Sequence, residues 1–158
     1  MIKFFVLFIL LVSSFEGFAE QQTWYFIRHF EKQQGEDPHL SELGKERSQA
    51  LIAALTNKKV SKIYSTQTNR TLESVALLGK ERGLQPQFYD PANLAFFVEQ
   101  LKLENNVLIV GHSNTTPQLI RLLGGQIADM TEQDYGQLFM LTKYQDRLDL
   151  HKREITLK

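Results

Sequence analysis

Short runs of continuous apolar residues alternate along this chain with longer amphipathic stretches. Trp24-Tyr25-Phe26-Ile27 is aromatic and β-branched and carries no charge, so residues 23–27 read as a buried strand. Residues 31–39 are polar and contain Gly35 and Pro38, which predicts a loop. Ser41 can cap a helix over 42–55, where Leu43, Ala50, Leu51, Ala54 and Leu55 recur at helical spacing. Residues 60–65 read as a second strand, 69–82 as a second helix ended by Gly83, and 87–89 as a short third strand. Asp90-Pro91 interrupts the pattern, and Asn93 can cap a third helix over 94–103. A fourth strand follows at 106–110. Pro117 lies near the first turn of a fourth helix, which runs to Leu123 and closes at Gly124-Gly125. Residues 138–143 and 148–156 form a terminal hairpin around Gln145-Asp146. Strands alternating with helices predict a three-layer α/β/α sandwich with a mostly parallel central sheet.

The first nineteen residues stand outside this alternation. Lys3 precedes an uncharged apolar stretch from Phe4 to Val12, and Gly17-Phe18-Ala19 puts small residues at −3 and −1 before Glu20. This is the pattern of a secretory signal peptide cleaved after Ala19, with residues 20–158 as the single domain. The alternative is an uncleaved anchor, but the apolar run is short against the roughly 20 residues a spanning helix needs. The expectation is a periplasmic or secreted protein with no stable membrane insertion after cleavage. The chain has no cysteine, so its stability rests on its core. Its formal net charge is zero, which gives no bulk attraction to nucleic acid. Any affinity for anions must come from a local grouping of arginines.

Such a grouping is written at the strand ends. Arg28-His29 follows the first strand, Gly111-His112 follows the fourth, and Arg70 lies just beyond the second. Ligands in open α/β sheets bind outside the carboxyl ends of the strands, so these side chains would share one pocket. A phosphoryl group in transfer spreads its charge over three oxygens, and arginine forks suit it. Arg28, Arg70 and His112 are the candidates for binding it, and His29 for attacking it as a neutral imidazole nucleophile. A phosphohistidine would then be hydrolysed by water. The leaving alkoxide needs a proton, and Asp90 at the end of the third strand is the candidate acid, with Glu31, Glu36 and Glu73 as competitors. His39 reads as a loop residue near the rim and His151 as a solvated hairpin residue. Arg47, Arg82, Arg121, Arg147 and Arg153 read as solvated faces. A metal held by His29, Glu31 and His112 is the rival reading, weakened by two nearby arginines that would repel a dication. Gly111-His112-Ser113-Asn114-Thr115 resembles a serine-hydrolase elbow only loosely, since Thr115 stands where that motif has glycine.

Taken together, these motifs resemble the histidine phosphatase superfamily, the phosphoglycerate-mutase-like fold. Arg28-His29-Phe30-Glu31 is similar to its Arg-His-Gly-Glu signature, and 40–50 to its Leu-Thr-x-x-Gly-x-x-Gln-Ala segment. Tyr64-Ser65 through Glu73-Ser74 resembles the segment that carries the family's second arginine, here Arg70, and Val110-Gly111-His112-Ser113 its second histidine motif. The resemblance implies that His29 accepts the phosphoryl group within a pocket completed by Arg28, Arg70 and His112, with no metal or other cofactor. Phe30 departs from the family's glycine, and either narrows the pocket or packs beside it. The long insertions of large mutases and acid phosphatases are missing, and Ser113-Asn114 stands where the phytase-like branch has histidine-aspartate. The implied activity is a metal-independent phosphomonoesterase of the histidine acid phosphatase type. Its substrate would be a phosphorylated small molecule or a phosphorylated envelope component. The alternatives are a phosphohistidine or phosphoprotein phosphatase, and a phospholigand-binding module without turnover.

Overall fold

The computed structural model describes residues 21–157. The predicted leader and its cleavage site at Ala19 lie outside the described residues. Among the described residues no helix is long and apolar enough to cross a membrane.

Six strands form one sheet. They are β1 (Gln22–Arg28), β2 (Lys62–Ser65), β3 (Gln87–Phe88), β4 (Val107–Gly111), β5 (Gln137–Tyr144) and β6 (Arg147–Glu154). Their order is β3-β2-β4-β1-β5-β6. The first four are parallel neighbours, and β5 and β6 are added antiparallel to β1. The helices are α1 (Glu42–Ala54), α2 (Asn69–Arg82), α3 (Leu94–Leu101) and α4 (Thr115–Leu122). The α/β sandwich with a mostly parallel sheet is the architecture the alternation predicts.

The continuous apolar runs arise because both sheet faces are covered, so every strand residue meets a helix layer. Trp24, Phe26, Val107 and Ile109 pack with Phe97, Leu101, Leu119 and Ile120 of α3 and α4. Tyr25, Ile27, Leu108 and Val110 point the other way, into Leu51, Val75 and Leu78 of α1 and α2. Alternation along β1 and β4 thus separates two cores.

Several helix ends differ from their predicted positions. Helix α4 starts at Thr115, two residues before Pro117, because Thr115 folds back to accept the His112 N–H. Asn93 makes no side-chain cap. The turn before α3 is closed instead by Asp90, whose Oδ1 accepts the Ala92 N–H at 2.8 Å and whose carbonyl accepts the Asn93 N–H.

Arg47 corrects the sequence reading, which placed it on a solvated face. It is largely buried and grips Glu31 through Nε and Nη2, with contacts of 2.6 to 3.0 Å. Its Nη1 also donates to the Ile155 carbonyl at 3.0 Å. Helical periodicity could not show this, because the partner approaches from a loop. Both side chains are 15% exposed, so removing one leaves the other poorly solvated. Arg47→Ala is expected to cost about 2–4 kcal/mol, read as a lower denaturant midpoint. A change below half a kcal/mol would mean that the pair is solvated as an ordinary surface pair.

Candidate active site

The site lies where β1 and β4 end side by side. Arg28 is in register with Gly111, and the His29 N–H donates to the Gly111 carbonyl at 2.9 Å. The next residue on each chain is a histidine. The two rings stand edge to face, with centroids 5.4 Å apart. Gly111 is needed for this approach. A Cβ there would sit 2.6 Å from Thr115 Oγ1 and 2.9 Å from the Tyr89 hydroxyl, which in turn donates to the Val110 carbonyl.

His29 is 3% exposed. Its Nδ1 is 2.8 Å from the Phe30 carbonyl, which can only accept, so Nδ1 carries the proton and Nε2 keeps its lone pair. Burial lowers its pKa to about 4, helped by the positive charge of Arg28 and the proximity of His112 and Arg70, against the Phe30 contact that raises it. The ring is therefore neutral at pH 7. Phe30 makes this geometry possible without entering the pocket. Its side chain is fully buried in the core beneath α1 and α2, and its N–H is held by Ser74 Oγ at 2.9 Å.

His112 is also held neutral, its pKa lowered to about 4 by burial and then by Arg70 and Arg28. Its Nε2 shares a 2.9 Å hydrogen bond with the Thr66 hydroxyl, which is linked onward to Thr71. Nδ1 is then the nitrogen left to face a ligand. Thr66 escaped the sequence reading, though its place directly after β2 was a signal that could have found it.

Arg70, in the first turn of α2, lines the cleft, with Nη1 3.4 Å from Asp37. Asp37 also accepts the Asn69 N–H at 3.0 Å and so occupies part of the N-terminus of α2. Arg28 is almost fully enclosed. Nη1 donates to the Thr131 carbonyl at 2.6 Å, Nη2 to Glu132 at 3.0 Å and to Tyr135 Oη at 3.2 Å. Its guanidinium lies over the Tyr135 ring at 4.1 Å.

The cleft has a volume of about 650 Å³ and includes His29, Arg70, His112, Lys32, Ser113 and Glu132 in its lining. Asp90 is exposed at the rim, next to the lining residue Pro91, with one carboxylate oxygen occupied by its own turn. The competing carboxylates stand elsewhere. Glu31 is clamped by Arg47, and Glu36 is exposed in the loop after β1. Glu73 pairs with His39 and accepts the Leu40 N–H at 2.8 Å. His39 borders a separate cavity with Glu73 and Lys45, and His151 is exposed on β6. Glu132 and Tyr135 were not singled out from sequence, since the stretch before β5 carries no periodic signal. Among the described residues no group of three histidine or carboxylate side chains has metal-binding geometry.

The paired histidines and the two arginines lie at the carboxyl edge of the parallel strands, where open α/β sheets bind their ligands. Residues 23–91 match the model of the histidine phosphatase superfamily (branch 1). The chain resembles that superfamily over those residues, and its fold is phosphoglycerate-mutase-like. It is similar to mycobacterial glucosyl-3-phosphoglycerate phosphatase complexed with VO3, with TM-score 0.66 and 15% identity over 85% of this chain and 100% of that one. It is also similar to the protein histidine phosphatase SixA complexed with tungstate, with TM-score 0.65 and 13% identity over 85% of this chain and 97% of that one. No curated protein matches the chain in sequence.

Proposed function

We propose that this protein is an exported, metal-independent phosphatase that works through a phosphohistidine on His29. The observation that carries the reading is the fixed tautomer of a buried neutral His29, in a cleft shared with Arg70 and His112 and backed by Arg28. In the first step the Nε2 lone pair forms a bond to phosphorus while the bond to the leaving oxygen breaks. The proton stays on Nδ1, and its hydrogen bond to the Phe30 carbonyl disperses the positive charge that develops on the ring. Arg28, Arg70 and His112 hold the phosphoryl oxygens. Water then attacks phosphorus, the P–N bond returns its electrons to Nε2, and phosphate leaves. Two similar structures hold phosphate-like oxyanions, VO3 in one and tungstate in the other, which supports an oxyanion pocket here.

Asp90 at the rim remains the acid of this proposal, although half of its carboxylate closes a turn. Glu132, the carboxylate that lines the cleft, is held ionised by Arg28 and Ser113 and is a poor proton donor. Weak acid assistance favours substrates with good leaving groups. A phosphorylated histidine side chain is one, and the open cleft could receive it on a larger body, so a phosphohistidine phosphatase is the second reading. Its occurrence in the similar SixA protein supports it. A leader at residues 1–19 would place the substrate in the periplasm or outside the cell.

Phosphate release in chelator from aryl phosphate, alkyl phosphate and a phosphohistidine peptide tests both readings. Release is expected to resist chelator and to be faster for aryl phosphate and phosphohistidine than for alkyl phosphate. Asp90→Asn is expected to slow alkyl phosphate more than aryl phosphate, and equal losses would move the acid elsewhere. No release by folded protein would leave a binding module.

A further inference from the structure

The two adjacent N–H groups on one edge of a guanidinium, Nε and Nη2, form a fork that matches two oxygens of a phosphoryl group. In Arg28 this fork is half occupied. Nε is buried and has no hydrogen-bond partner, while Nη2 donates to Glu132 Oε2 at 3.0 Å. The other oxygen of Glu132 accepts from Ser113 Oγ at 3.1 Å. The carboxylate therefore bridges the end of β1 and the segment before α4. Arg28 is 1% exposed and Glu132 is 71% exposed, so the buried partner is fixed and the surface partner can leave. Glu132 lines the cleft in place of Arg28, which it covers. A buried donor without a partner is costly and uncommon in a folded chain, unless a ligand completes it.

We propose that Glu132 is an internal competitor for the phosphoryl group, a specificity-determining carboxylate that holds the anion position on Arg28 until substrate displaces it. The inference rests on the phosphatase reading of the same cleft. Displacement frees the Nε–Nη2 fork and the Ser113 hydroxyl together, so the incoming group gains three donors. A phosphoryl group with several acceptor oxygens can use them all. A lone carboxylate, with two oxygens, cannot satisfy all three donors, and bulk anions are discouraged from the site. Tyr135 stays under the guanidinium and keeps its orientation while Glu132 leaves. Glu132 thus lowers affinity for any anion and sets a threshold that the phosphoryl group passes.

Calorimetric titration of inorganic phosphate into the full chain tests this, with Glu132→Gln, Glu132→Ala and the remote control Glu99→Gln. Both Glu132 variants are expected to bind phosphate about threefold to tenfold more tightly than wild type, the release of one exposed partner from a competed site. The control is expected to match wild type. Local damage would weaken binding, so a gain in affinity cannot come from misfolding. Unchanged or weaker binding in the Glu132 variants, or an equal gain in the control, would overturn the inference while wild-type phosphate release left the phosphatase reading intact. Wild-type protein that neither binds nor releases phosphate would remove both.

Discussion

His29→Ala is expected to reduce phosphate release by at least about 10³-fold while leaving the chain folded, because under the proposed mechanism it removes the atom that bonds to phosphorus. The structural cost is modest by comparison. His29 contributes one hydrogen bond to the Phe30 carbonyl and ring contacts with His112 and Tyr135, and the two cores lie elsewhere. Arg28, Arg70 and His112 remain, so phosphate affinity should stay within a few-fold of wild type. Circular dichroism and phosphate titration separate lost chemistry from lost structure. Retained turnover in a folded variant would remove the nucleophile assignment.

Acidification is expected to destabilise the protein before its carboxylates titrate. His29 and His112 each have a pKa near 4 in the folded chain, against 6.5 for an ordinary histidine. Between those values the unfolded chain binds protons that the folded chain refuses, so stability falls as pH falls through that window. Above pH 6.5 both states are neutral and the histidines contribute no pH dependence. For buried His29 alone the loss approaches roughly 3 kcal/mol by pH 4, at about 1.4 kcal/mol per pKa unit. His112 is partly exposed and adds less, and its charge would repel that of His29, so the two titrate as a pair. Urea midpoints measured from pH 7 to pH 4 should fall steadily, and His29→Ala should flatten the curve. A flat wild-type curve over that range would contradict the burial of neutral rings. The nucleophile itself stays neutral until pH approaches 4, so loss of activity in mild acid should follow unfolding.

Both layers of the sandwich were legible because β1 and β4 are continuous apolar runs, which only a sheet covered on both faces requires. The placement of His29 and His112 was legible for the same reason. Each directly follows such a run, and parallel register brings the run ends together. Arg70 was visible as the first-turn residue of a helix that follows a strand. What stayed hidden depends on long-range side-chain geometry. Arg47 lies at an ordinary polar helix position, and only the approach of Glu31 from the β1–α1 loop buries it. Phe30 could have filled the pocket or the core, and the backbone turn after His29 sends it to the core. Thr66, Glu132 and Tyr135 belong to segments without periodicity, brought to the site by the folding of β2 and by the return of the chain before β5.

The steric course at phosphorus tests the central claim most directly. Transfer to His29 and then to water is two in-line displacements, each inverting phosphorus. A thiophosphate monoester made chiral with two oxygen isotopes and hydrolysed in water of the third should therefore yield inorganic thiophosphate of retained configuration. Net inversion would mean that water attacks the substrate directly, and it would contradict a phosphohistidine on His29.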